Sequence, residues 1–134
     1  PEFNQSQDLL DDFSADWQKE IEQKYKEVEE MYRAYQQEQV LLTNEMKTKR
    51  ENAIITKEKT VKKLQQEYFG PEGKLYIKRQ ELIRPIQDKV YDAIKKIAAN
   101  NKYQVIFDSS SDIIMLYKNE DLDKSDKVLE LMGY

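Results

Sequence analysis

The sequence predicts a mainly α protein with a small β part: a long antiparallel helical hairpin carried on a small β body. Three observations predict it. Apolar residues recur every three or four positions over most of the first hundred residues, chain-reversing residues are scarce, and the period shortens after Lys102. Only three Gly and three Pro occur in 134 residues, 36% of residues are charged, and the mean hydropathy is −0.91. A two-helix rod buries one stripe per helix and leaves the rest polar, so this composition suits a rod better than a globule.

The first stripe runs Leu10, Phe13, Trp17, Ile21, Tyr25, Val28, Tyr32 and Tyr35, all steps of three or four. No Gly or Pro interrupts residues 2–69. The helix is expected to start near Asn4 or Ser6, either of which can cap it, and to reach Leu41. A single helix of over sixty residues would leave its stripe unburied, so the chain must turn. The reversal is expected at residues 42–44, where Thr43 and Asn44 are capping types and Glu45 suits a first turn.

Charge switches at the same place. Residues 1–42 carry 4 basic and 11 acidic side chains, residues 43–67 carry 7 and 4, and residues 68–103 carry 8 and 4. Residues 104–134 return to 3 against 7. Helices of opposite charge folded back on each other have complementary flanks.

The second stripe runs Ile54, Val61, Leu64, Tyr68, Leu75, Leu82, Ile86, Val90, Ile94 and Ile97, in helical phase across Gly70-Pro71-Glu72-Gly73. Preserved phase predicts a kink near 70–73, because Pro71 lacks a donor and the glycines weaken the helix. Pro85 is a second place for a bend, and Asn100 or Asn101 is expected to take a left-handed cap. With the turn at Thr43, facing residue numbers sum to about 86. Trp17 then meets Tyr68 or Phe69, Ile21 meets Leu64, Tyr25 meets Val61, and Tyr32 meets Ile54. The face from Leu82 to Ile97 has no partner in the first helix. The hairpin is thus expected over residues 1–100.

Residues 101–134 are expected to form the small β body with a short C-terminal helix. Residues 103–108 and 113–117 read as strands around a turn at 109–112. Asp123 or Ser125 should cap the short helix and Gly133 should close it.

With no Cys and no His, the chain lacks thiol nucleophiles, imidazole bases and the usual zinc ligands. Acid pairs such as Asp11-Asp12 and Glu29-Glu30 read as solvated helix surface. Asp108 to Asp112 reads as a turn rather than a metal loop. The stretch from Asp121 lacks the Gly and Glu of a calcium loop, having Asp126 and Met132 in their places. No catalytic residue, metal site or cofactor is predicted, and the chain reads as non-enzymatic.

Lys47, Lys49, Arg50 and Lys57 form a basic run suited to anionic headgroups or to electrostatic attraction of a partner. No Gly-rich phosphate loop accompanies it, and nucleic acid is not expected. Tyr25, Tyr32 and Tyr35 are assigned to the seam. Off the seam, Met31, Val40, Leu41, Ile55 and Tyr76 offer adaptable apolar contact, with Leu41 and Ile55 near the tip.

Five stretches carry a family resemblance: Glu38 to Thr43 (EQVLLT), Tyr68 to Gly73 (YFGPEG), Leu82 to Lys89 (LIRPIQDK), Tyr103 to Asp108 (YQVIFD), and Asp121 to Asp126 (DLDKSD) with Val128 and Leu129. In order and spacing they resemble the Skp (OmpH) family of periplasmic chaperones, in its Bacteroidetes-like form, over nearly the whole chain. The resemblance implies a trimer whose strands form a shared β body, with three helical tentacles enclosing unfolded outer-membrane proteins. It also implies a signal peptide, a periplasmic location and a further strand before residue 1. Some relatives are strongly basic, whereas this chain is acidic overall, with a net charge of −4. The expected function is an ATP-independent holdase, with Met31, Val40, Leu41, Ile55 and Tyr76 contacting clients and a membrane surface as a further partner. A structural or tethering coiled coil is the alternative.

Overall fold

The computed structural model describes residues 2–111 and 114–134. Helix α1 spans Glu2–Glu38, a 3-10 turn spans Gln39–Leu41, and α2 spans Asn44–Phe69. Helix α3 spans Lys74–Asn101, a second 3-10 turn spans Glu120–Leu122, and α4 spans Ser125–Met132. The chain forms two compact units, residues 1–82 and 83–134.

In the first unit α1 and α2 pack as an antiparallel hairpin. Its core is Ile21, Val61 and Tyr68, with Trp17, Tyr25, Val28 and Leu64 packed against it. Val61 is 0% exposed and lies at the centre. Trp17 stacks on Tyr68, as the facing-residue arithmetic requires. The seam differs from its sequence reading at one place. Tyr32 is 50% exposed, whereas Met31 beside it is half-buried. Ile21, Val28 and Tyr35 recur every seven residues, and both neighbours fall near the seam midway between the last two. Such a pattern leaves a one-residue choice open, and here the helix turns Met31 inward.

Thr43 starts α2 as its cap: its backbone is extended and its hydroxyl accepts from the Met46 N–H at 3.3 Å. At the far end the helix stops rather than kinks. Gly70 has an extended ψ of 170°, the conformation that a following proline imposes, and its N–H reaches the Gln66 carbonyl at 2.8 Å. The Gly73 N–H bonds to the Gly70 carbonyl at 2.9 Å, and α3 begins at the next residue. Four residues therefore make a tight connection closed by one internal hydrogen bond and one back to α2. α1 is already helical at Glu2, ahead of the expected start, and Ser6 is buried within it.

In the second unit Ala93 and Ile97 of α3 are buried, while Ile86, Val90 and Ile94 are half-buried. The helix runs through Pro85 and ends at Asn101. The left-handed residue is Lys102 (φ 58°), one position beyond the expected amides. The Tyr103 and Lys102 N–H groups bond back to Ala98 and Ala99, and the Asn101 amide bonds to the Ile97 carbonyl at 2.9 Å. That is a Schellman closure, with the asparagine used one turn back. α4 closes the same way on Gly133 (φ 92°). Its start is held by Asp123, whose carboxylate accepts from the Ser125 N–H at 2.9 Å and hydroxyl at 2.6 Å.

The expected β part is not formed: among the described residues there is no strand. Residues 103–108 and 114–117 run as irregular chain, and Asp112 and Ile113 of the expected turn and second strand lie outside the described residues. The turn is present at Asp108, whose carbonyl accepts from the Ser111 N–H at 3.2 Å. Two short strands without further partners are marginal in water, and among the described residues no strand is available to pair with residues 103–108 or 114–117.

Candidate functional site

The hairpin tip gathers the most exposed apolar groups of the first unit. Val40 and Leu41, both 84% exposed, sit on a single 3-10 turn closed by a 3.4 Å bond from the Leu42 N–H to the Gln39 carbonyl. That short turn has no buried residue, so its side chains point away from the seam. Met46, in the first turn of α2, is half-exposed beside them.

Polar contacts join the two arms of the hairpin at increasing distance from this tip. Arg50 pairs with Glu38 at 2.9 Å, Lys57 pairs with Glu27 at 2.7 Å, and the Tyr35 hydroxyl donates to Glu51. The hydrogen bond and charge of Lys57 hold the Glu27 carboxyl below its usual value. Donation to Glu51 raises the Tyr35 phenol. Two members of the predicted basic run are therefore spent on the hairpin's own flanks. Lys47, half-buried, and Lys49, exposed, make no ion pair among the described residues, and they lie in the first two turns of α2, just after the tip.

The predicted contact residues divide between places. Val40 and Leu41 are at the tip; Ile55 is half-exposed further along α2. Met31 is half-buried at the seam, and Tyr76 is half-exposed in the first turn of α3 beside the equally exposed Ile77. They form no common pocket. A shallow groove beside the seam is lined by Glu20, Lys24 and Leu64, and another follows Gly70 to Lys74. Both are open surface rather than enclosed sites.

Two acidic loops are occupied by their own backbone. The Asp108 carboxylate accepts from the Ser110 N–H and hydroxyl at 2.9 and 2.7 Å, which lowers its pKa. Asp123 is held far below the usual carboxylate range by Lys118 at 2.6 Å and by Ser125. No group of acids able to hold a metal ion occurs among the described residues. No helix there is long and apolar enough to cross a membrane.

Around the α2–α3 break, sequence reading anticipated the Trp17–Tyr68 contact but missed the larger group to which it belongs. Phe13 stacks on Trp17 at 5.6 Å, Trp17 on Tyr68 at 4.9 Å, and the Lys74 and Lys78 ammonium groups lie over Tyr68 and Phe13. The only signal in the sequence is a pair of four-residue steps, Phe13 to Trp17 and Lys74 to Lys78.

No curated protein matches the chain. A family model described as Outer membrane protein (OmpH-like) matches residues 1–132. That match takes in the hairpin, the Gly70–Gly73 break and the C-terminal helix together, and the chain belongs to the OmpH-like outer membrane protein family.

Proposed function

We propose that this chain is an ATP-independent periplasmic holdase that captures unfolded outer-membrane proteins along its hairpin and keeps them from aggregating. The family is one of periplasmic chaperones rather than enzymes. The observation that carries the reading is the tip: Val40 and Leu41 are almost fully exposed on a turn fixed from below by Arg50–Glu38 and Tyr35–Glu51. An apolar pair held out on a rigid rod offers weak contact to any apolar segment. Several such contacts from several hairpins hold a client without imposing a shape on it.

Multiple hairpins require association, and residues 103–111 and 114–117 supply a surface for it. Val105, Phe107, Ile114 and Tyr117 are exposed, and Leu116 is 96% exposed. Their backbone belongs to no sheet among the described residues. Pairing with the same segment of other copies would cover these groups and complete a sheet; exposure supports association, and the family resemblance supplies the reading as a homotrimer. Lys47 and Lys49 beside the tip suit the acidic groups of a client or an anionic membrane surface.

The deciding experiment is an aggregation assay in which a urea-denatured β-barrel protein is diluted into buffer without nucleotide. The full-length mature protein is expected to suppress light scattering, and Val40→Ser/Leu41→Ser to suppress it less at unchanged helix content. No suppression by the native protein would refute the holdase and favour a tethering coiled coil, which binds one folded partner.

A further inference from the structure

Lys78, Phe13, Trp17, Tyr68 and Lys74 form one continuous ladder. The ring planes lie 25° apart between Phe13 and Trp17 and 14° apart between Trp17 and Tyr68. The Lys74 Nζ is 4.9 Å from the centre of the Tyr68 ring, and the Lys78 Nζ is 5.9 Å from that of Phe13. Both distances are within the range at which an ammonium is attracted to an aromatic ring.

The ladder joins three helices. Phe13 and Trp17 belong to α1, Tyr68 to the last turn of α2, and Lys74 and Lys78 to the first two turns of α3. The lysines are four residues apart, so they project from one face of α3, as Phe13 and Trp17 do from α1. The Tyr68 hydroxyl donates to Glu20 at 2.8 Å. A phenol donating to a carboxylate gains electron density on its ring, which strengthens its hold on the cation.

We infer that this ladder is a clasp: it closes the α2–α3 joint by holding the first two turns of α3 onto the stacked aromatics of the hairpin. The backbone at Gly70 to Gly73 sets where the chain turns, and the two lysines set whether the joint stays shut. Each ammonium–ring contact is modest, so the clasp opens and recloses rather than locking. Nothing in this inference depends on the chaperone reading.

The test uses the absence of native cysteine. Spin labels on cysteines introduced at the exposed positions Gln18 and Gln80 report the α1–α3 distance in the full chain by pulsed electron resonance. The native background is expected to give one narrow distance. Lys74→Gln/Lys78→Gln is expected to add a second population, with the open form roughly 5- to 30-fold more populated. Lys74→Arg/Lys78→Arg is expected to keep the narrow distance, because a guanidinium also stacks on rings. Because Lys78 also pairs with Glu81 at 2.8 Å, Glu81→Gln is the control, and it should leave the distance unchanged. The emission of Trp17, the single tryptophan, should shift to the red in the glutamine variant alone. A glutamine variant as narrow as native, at native helix content, overturns the clasp and leaves the joint to the backbone. If the double variant loses helix, Lys78→Gln alone carries the same two outcomes, since of the three rings its lysine lies over the outermost, Phe13, and the Glu81→Gln control accounts for its ion pair.

Discussion

The Arg50 guanidinium lies 2.9 Å from the Glu38 carboxylate, bridging the two arms of the hairpin below its tip. Both side chains are about half exposed, so water and salt screen the pair. Its structural role is to hold the base of the Val40–Leu41 turn, while the stability of the hairpin resides in the seam.

A comparison of two variants tests that division. Arg50→Met should cost less than about 1 kcal/mol, as exposed ion pairs do. Val61→Ala, which removes two methyl groups from a fully buried site, should cost about 2–3 kcal/mol. Urea unfolding followed by far-ultraviolet circular dichroism measures both, and a larger loss for Arg50→Met would place the stability at the tip.

Acid should loosen the start of α4. Asp123 has a folded pKa lowered by Lys118 and Ser125, so its contribution is present above the unfolded value of about 3.9 and is lost as pH falls through the folded one. Protection of the Ser125 amide from hydrogen exchange is expected to fall below about pH 4. Asp123→Asn keeps an acceptor for Ser125 but carries no titrating charge, and it should remove that acid dependence. Tyr35 and Tyr68 behave in the opposite sense. Their raised phenols stabilise the fold fully below about pH 10, and that contribution is lost as pH rises through the folded values.

The glycines of the break should resist substitution. A Cβ at Gly70 would stand 2.4 Å from the Gln66 carbonyl oxygen, and one at Gly73 would stand 2.8 Å from that of Tyr68. Neither glycine has a positive φ, so close approach of backbone is the reason for each. Exchange of Gly for Ala normally stabilises by restricting the unfolded chain. Here Gly70→Ala should destabilise by roughly 1–3 kcal/mol in thermal or urea unfolding, because carbonyls of an intact helix must move.

The hairpin was legible because its seam repeats: stripes of matching phase on either side of Thr43 led to the Trp17–Tyr68 contact. Where two apolar neighbours compete for one seam position, as Met31 and Tyr32 do, periodicity alone does not choose. The stop at Gly70 was read as a kink because stripe phase is blind to a short break that preserves it. The β body was drawn from strand-forming residues at 103–117, but strand formation depends on pairing partners outside the segment. Of the tip, Val40 and Leu41 stood out by lying between the helices; that Arg50 and Lys57 face the acidic helix depends on register. Of the clasp, the sequence shows only the two four-residue steps, since its rings and ammonium groups meet from distant parts of the chain.

The pairing of α1 with α2 also orders the way the molecule acquires its structure. Joining Glu38 to Arg50 closes a separation of 12 residues, Tyr35 to Glu51 one of 16, and Glu20 to Tyr68 one of 48. Each doubling of a flexible loop adds about 0.6 kcal/mol to the entropy of closure. Bringing Tyr68 to Glu20 directly therefore costs about 1.2 kcal/mol more than closing at Arg50. On loop entropy alone, closure is therefore cheapest next to the Thr43 cap and is expected to proceed outward from it, each turn shortening the loop for the next, with the Trp17–Tyr68 contact expected after those near the cap.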